Sequence, residues 1–201
     1  MFIELTDHLR CPADHDEAFL VLIAGPVERR DVRAGTLGCP VCQAEFPIVD
    51  GVADLRLAER QGTPPQGDAV VPDPLSADAI SAFLGLSGPG GYAVLCGSSA
   101  RHGAEVVAAN PGVAFTALNA PAALAAAPPA LSLVLADRIP FKARSMRGVV
   151  LGAEQGAPVW TEEALRVTLP GLRVVGPGVP PTGAGVELLG EAGGWWVVTT
   201  R

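Results

Sequence analysis

Two short words, Leu9-Arg10-Cys11-Pro12-Ala13-Asp14-His15 and Leu37-Gly38-Cys39-Pro40-Val41-Cys42, constrain this chain more than any other feature. Two thiols two residues apart, with proline between them and glycine before, form a turn whose amides can point at a metal-bound sulfur. The upstream word supplies a third thiol in the same Cys-Pro frame. A structural zinc site closes with four ligands, and carboxylate oxygen and imidazole nitrogen serve beside thiolate. Asp14 stands at the two-residue spacing where a fourth cysteine would be; His15 is one residue late but reaches further. The spacing therefore predicts a zinc ribbon held by Cys11, Cys39, Cys42 and Asp14, with His15 the other candidate. The competing readings are a ribbon that has lost its metal and, less favoured with no secretory leader ahead of it, a disulfide.

Charge narrows what such a ribbon can grip. Residues 1–78 carry 14 acidic against 6 basic side chains, whereas residues 79–201 carry 7 against 8. Binding to a phosphate backbone depends on Lys and Arg displacing counterions, so an acidic ribbon is a poor nucleic-acid finger. No apolar run has the length of a membrane span, and the opening Met1-Phe2-Ile3-Glu4-Leu5 is not a signal peptide. A cytoplasmic protein is expected. Lys142 is the sole lysine among 14 basic residues, a bias of composition that carries no functional meaning.

Along the chain, residues 2–10 read as a short turn or helix, with His8 a solvated residue rather than a ligand. Residues 18–24 form an apolar strand and 27–37 a polar return arm. Phe46-Pro47-Ile48-Val49-Asp50-Gly51-Val52 reads as strand, turn, strand. The ribbon ends near Leu57, giving a zinc-ribbon unit over 1–57. The proline-rich stretch 58–74 has no periodic face and reads as a linker. Ser76 then caps a helix running to Leu84. From there to residue 201, seven strand candidates (92–96, 113–118, 131–136, 148–151, 172–175, 186–189 and 195–199) alternate with helix candidates at 104–109, 122–126 and 161–168. Continuous apolar strands separated by helices predict a mostly parallel sheet covered on both faces. The last two strands are too close in sequence for a crossover and must close as an antiparallel hairpin.

Ala136-Asp137-Arg138-Ile139-Pro140-Phe141 and Glu163-Ala164-Leu165-Arg166-Val167-Thr168-Leu169-Pro170-Gly171-Leu172-Arg173, set in that strand pattern, resemble words of class I S-adenosylmethionine-dependent methyltransferases. Leu9-Arg10-Cys11-Pro12 and the run from Cys39 through Phe46-Pro47-Ile48 to Val52 resemble the zinc-ribbon activator proteins that partner methyltransferases of tRNA, rRNA and release factors. The expected fold is α/β: a small N-terminal zinc ribbon of β hairpins, then a reduced Rossmann-like methyltransferase sheet over 75–201 ending in an antiparallel hairpin.

By this resemblance, Gly97, Ser99, Asn119 and Asp137 stand at the S-adenosylmethionine positions. The family's glycine-rich loop lets the backbone approach its cofactor; Tyr92-Ala93-Val94-Leu95-Cys96-Gly97-Ser98-Ser99-Ala100-Arg101 keeps Gly97 but carries Ser99 and Arg101 where later glycines belong, and Leu95 where an acid belongs. Asn119 replaces the acid that accepts the ribose hydroxyls. Without the resemblance, Gly97 and Gly103 are turn glycines, Asp137 caps a loop, Cys96 is a buried apolar residue and His102 a surface one. Trp195 and Trp196 point to opposite faces of a strand, one to the core and the other to an interface. Arg138, Lys142, Arg144 and Arg147 make the one basic cluster. The expected function is a non-catalytic methyltransferase-like scaffold or activator whose ribbon docks on its own second part or on another protein, a methyltransferase of the translation machinery. The alternative is an active methyltransferase with a divergent pocket.

Overall fold

A computed structural model describes residues 1–61, 75–121, 128 and 130–201. The helix candidate at 122–126 and most of the expected linker lie outside the described residues. The chain opens with a 3-10 helix, Ile3–His8, followed by β1 (Val21–Ala24), β2 (Val27–Glu28), β3 (Asp31–Val32), β4 (Gly35–Gly38), β5 (Glu45–Val49) and β6 (Val52–Asp54). After α1 (Ala77–Leu84) come β7 (Tyr92–Cys96), a 3-10 helix (Gly97–His102), α2 (Gly103–Ala109), β8 (Ala114–Leu118), β9 (Leu131–Leu135), β10 (Met146–Val150) and α3 (Pro158–Val167). β11 (Thr168–Pro177), β12 (Val186–Ala192) and β13 (Trp195–Thr200) complete it.

All strands except the β2–β3 pair join one 11-stranded sheet in the order β1-β4-β5-β6-β9-β8-β7-β10-β11-β13-β12. The six strands from β6 through β9, β8, β7 and β10 to β11 are parallel. The closing hairpin is antiparallel, with β13 between β11 and β12. Every residue of β7 is buried, as a strand covered on both faces must be, which is why it reads as an unbroken apolar run.

The junction between the two sequence units is the main departure from the expected layout. Asp50 and Gly51 both take positive φ, 51° and 82°, the turn that a two-residue hairpin prefers, and they fold β6 back beside β5. β6 then pairs parallel with β9, Val52 against Leu133 and Asp54 against Leu135, and Leu55 N–H continues to the Leu135 carbonyl at 2.7 Å. Residues 1–57 thus extend the sheet of the second part, covering what would otherwise be the open edge of β9.

Two apolar layers sandwich this sheet. One gathers Leu5, Leu9, Leu37, Phe46 and Ile48 from the N-terminal part with Phe141, Ala164 and Val167 against Val94, Val149 and Val174. The other sets Ile80 and Leu84 of α1 and Val106 of α2 against Leu95, Phe115, Val150 and Val175. α1 begins as expected, the Ser76 hydroxyl accepting from Ala79 N–H at 3.2 Å, and ends on Gly85 at φ 56°. Arg173 donates to the carbonyls of Ala82 and Phe83 in its last turn.

Three local expectations change. The polar arm 27–37 is not one strand: Arg29 and Arg30 at φ 49° and 72° turn β2 back on β3 before β4 begins. Both tryptophans are core residues, 7% and 1% exposed, because the sheet has an apolar cluster on each face, Trp195 belonging to one and Trp196 to the other. His8 is half-buried, its ring 5.0 Å from that of Tyr92, and burial lowers its pKa. Two of the four basic-cluster residues are tied to backbone carbonyls. Lys142 donates to the Asp7 carbonyl, and Arg147 to those of Ser87, Gly88 and Gly90. Among the described residues no helix is long and apolar enough to cross a membrane.

Candidate metal centre and the mouth of the sheet

Two loops bring the thiols together. The first leaves the end of the 3-10 helix and closes between Cys11 N–H and the Ala18 carbonyl at 2.9 Å. The second joins β4 to β5, with Gln43 N–H on the Cys39 carbonyl at 3.0 Å and Gln43 at φ 60°. Antiparallel pairing of β1, β4 and β5 holds the loops side by side. Four donor atoms converge there, the sulfurs of Cys11, Cys39 and Cys42 and a nitrogen of His15, all within 4.8 Å of one another. Cys11 and Cys39 are buried, His15 half-buried and Cys42 exposed.

His15, and not Asp14, therefore completes the group. The reason lies in the loop. His15 Nδ1 donates to the backbone carbonyl of Asp16 at 2.6 Å, which fixes the tautomer and leaves the Nε2 lone pair facing the thiols, 3.5 Å from Cys39 Sγ. An outer-shell carbonyl of this kind is the usual orienting partner of a ligating imidazole. The spacing suits an ion. A tetrahedral centre with metal–sulfur bonds of about 2.3 Å and metal–nitrogen bonds of about 2.0–2.1 Å sets its sulfurs about 3.8 Å apart and nitrogen about 3.6 Å from sulfur. The Cys11 and Cys42 sulfurs are 3.7 Å apart.

Electrostatics agree with that spacing. Burial pushes the Cys11 thiol up to about 12, helped by its neighbours Cys39 and Cys42. For Cys39 burial acts upward too, but hydrogen bonds from the Cys42 and Val41 amides and from the thiols of Cys42 and Cys11 bring it down to about 7. The knuckle's amides thus favour the thiolate form of Cys39, as the Cys-Pro-Val-Cys word implies. A divalent cation among these donors would deprotonate the remaining thiols outright. The four residues can hold a metal ion.

The second candidate location is the end of β7, facing the carboxyl end of β10. Here the sequence-predicted cofactor residues are adjacent in the fold but engaged with the protein itself. Gly97, at φ 52°, has the carboxylate of Glu154 and the amide of Gln155 packed where a Cβ would stand. Glu154 accepts from Ser98 N–H and from the Ser98 hydroxyl, both at 2.7 Å, while Gln155 accepts from Gly152 N–H at 2.7 Å. The Ser99 hydroxyl is 1% exposed as a residue and bonds to the carbonyls of Cys96 and Val150 at 2.9 and 3.1 Å. Asn119 uses both ends of its amide on Ala136, donating at 2.7 Å and accepting at 3.0 Å. Asp137 pairs with Arg60 at 2.5 Å.

Glu154 and Gln155 carry no motif; the one local cue is an acid and an amide in the turn a few residues after an apolar strand. Cys96 is fully buried, and its thiol pKa is raised, first by that burial and then by Glu154. This fits a packing residue and not a nucleophile. His102 Nδ1 lies 3.0 Å from the Glu105 carboxylate. No protein-family model matches the chain, and no curated protein matches it.

Proposed function

We propose that this chain is a zinc-clamped, methyltransferase-like scaffold that does not transfer methyl groups and acts by holding a protein partner. The ribbon resemblance gives the partner's class, a methyltransferase of the translation machinery. Zinc is the metal that three thiolates and one imidazole in a tetrahedron suit best. The strand order β9-β8-β7-β10-β11 corresponds to the 3-2-1-4-5 order of doubly wound sheets, whose ligands bind beyond the carboxyl ends of the strands where the order reverses. That place lies at β7 and β10.

One observation carries the non-catalytic reading: the protein fills this place with its own Glu154 and Gln155. A ligand there would have to displace a carboxylate that already satisfies the amide of the residue after Gly97. Support for a protein partner comes from the outer edge of the sheet, where Phe19, Val21 and Ile23 alternate onto one face and are 56%, 47% and 67% exposed. An uncharged apolar edge of this kind is a pairing surface. The test is calorimetric titration of S-adenosylmethionine and S-adenosylhomocysteine into zinc-quantified protein. No heat and no thermal shift at millimolar ligand is expected; micromolar binding that Asp137→Ala abolishes would overturn the reading in favour of an active enzyme.

A further inference from the structure

The four donors of the metal centre are not equally protected. Cys11 and Cys39 are buried beneath the two loops, His15 is half-buried, and Cys42 alone stands exposed. Its sulfur lies 3.7 Å from that of Cys11, and these two cysteines belong to different loops. Cys39, by contrast, is engaged by His15 Nε2 at 3.5 Å and by the amides of its own knuckle. One sulfur is open to a small oxidant and a second is poised behind it to resolve the product.

Resting on the zinc reading above, we infer that the centre is a peroxide-responsive metal switch in which Cys42 is oxidised first and Cys11 then closes a disulfide that ejects the ion. The chemistry balances with hydrogen peroxide as the two-electron oxidant. The Cys42 thiolate attacks one peroxide oxygen, the O–O bond breaks, and the products are a Cys42 sulfenic acid and hydroxide. The Cys11 thiolate then attacks the Cys42 sulfur, an S–S bond forms, the S–O bond breaks and a second hydroxide leaves. Two thiolates have lost two electrons and peroxide has gained two. Cys39 and His15 remain, and two protein ligands do not make a closed structural zinc site.

The consequence reaches beyond the loops. Arg10, beside Cys11, pairs with Glu163 of α3 at 3.2 Å, and Glu17, beside the end of the same loop, lies 3.6 Å from Arg166 of α3. Releasing the metal frees the loop that carries both contacts to α3. The oxidised state should therefore loosen the packing of residues 1–20 on α3 while β7 to β13 keep their pairing.

The test uses full-length, zinc-loaded protein treated with a few equivalents of hydrogen peroxide. Zinc release is followed with a chromogenic chelator and the thiols by tryptic mass mapping. Cleavage after Arg10, Arg29, Arg33 and Arg56 separates Cys11 from Cys39 and Cys42. The expected result is one zinc freed per chain, a cross-link between peptides 11–29 and 34–56, and full reversal by dithiothreitol with added zinc. Cys42→His keeps a competent ligand and should hold zinc through the same treatment. Zinc retained by the wild type with all thiols reduced overturns the inference. So does release with only a Cys39–Cys42 disulfide, or release from Cys42→His at the wild-type rate. A chain that takes up no zinc at all overturns the metal reading together with it.

Discussion

The metal centre and the mouth of the sheet are both polar clusters carried on loops, yet their polar groups face in opposite senses. At the first, three sulfurs and an imidazole nitrogen converge with their lone pairs directed at one point. At the second, Ser98, Ser99, Asn119, Glu154 and Gln155 spend their donors and acceptors on each other and on the backbone. Converging donors of one kind repel or remain unsatisfied without a cation, whereas a closed network of donors and acceptors is stable as it stands. The first cluster is built to receive something; the second is already complete.

Metal removal should break this contrast most visibly. A structural zinc contributes folding free energy directly, and an ion held by these four donors would tie the Cys11–His15 loop to the Cys39–Cys42 loop. Chelation, or Cys39→Ala, is expected to cost several kcal/mol, about 5 or more, and to lower the Tm by more than about 10 °C for a chain of this size. Differential scanning calorimetry at matched zinc activity would check it. An unchanged Tm would mean that the β1–β4–β5 hairpins hold the loops unaided.

At the mouth the largest effect should come from Gly97→Ala. A Cβ there overlaps the Glu154 carboxylate and the backbone sits at φ 52°, so strain and a displaced acid add. A loss of about 2–3 kcal/mol is expected, with the Ser98–Glu154 bonds broken. Glu154→Ala should be milder, about 1–2 kcal/mol for the orphaned Ser98 donors. It is also the more informative variant. If it begins to bind S-adenosylhomocysteine in a calorimeter, the mouth is plugged; if it stays inert, the surrounding loop has lost the site altogether.

His8 offers a pH test of the interface between the two halves. Burial lowers its folded pKa below the ordinary histidine value of about 6.5, so the unfolded chain binds the proton first. The neutral ring is accommodated fully above pH 6.5, and stability falls as the pH drops from there through the lower folded pKa. Replacing it by Gln should flatten that part of the acid limb in denaturant titrations of the zinc-loaded protein. An identical slope in His8→Gln would mean that the ring titrates as if in water.

Much of the fold was legible because it rests on local signals. The strands of the second part are runs rich in Val, Leu and Ala broken by glycine and proline. The Asp50-Gly51 turn names its own geometry, and Ser76 stands where a cap must. The parallel pairing of β6 with β9 has no such signal: Val52-Ala53-Asp54 is too short to advertise a partner, and register across 80 residues of chain is set only by the assembled core. The contact of Glu154 with Gly97 is hidden for the same reason, since Glu154 reaches it from the turn after β10. Arg29-Arg30 was misread because two arginines at positive φ are costly in isolation and are tolerated where the hairpin imposes them.

The smallest predicted effect decides the fourth ligand. Asp14 and His15 are neighbours, and the spacing from Cys11 favours Asp14. The fold favours His15, because its Nδ1 is already committed to the Asp16 carbonyl and its Nε2 faces Cys39, while Asp14 is exposed at the loop surface. Asp14→Ala should therefore change stability by no more than about 0.5 kcal/mol and leave zinc stoichiometry intact. His15→Ala should weaken zinc retention against a competing chelator by orders of magnitude, since a structural site with three ligands is open to water and exchange. Reversed effects would return the carboxylate to the coordination sphere, and would mean that the Asp16 carbonyl holds the imidazole beside the ion without letting it bind.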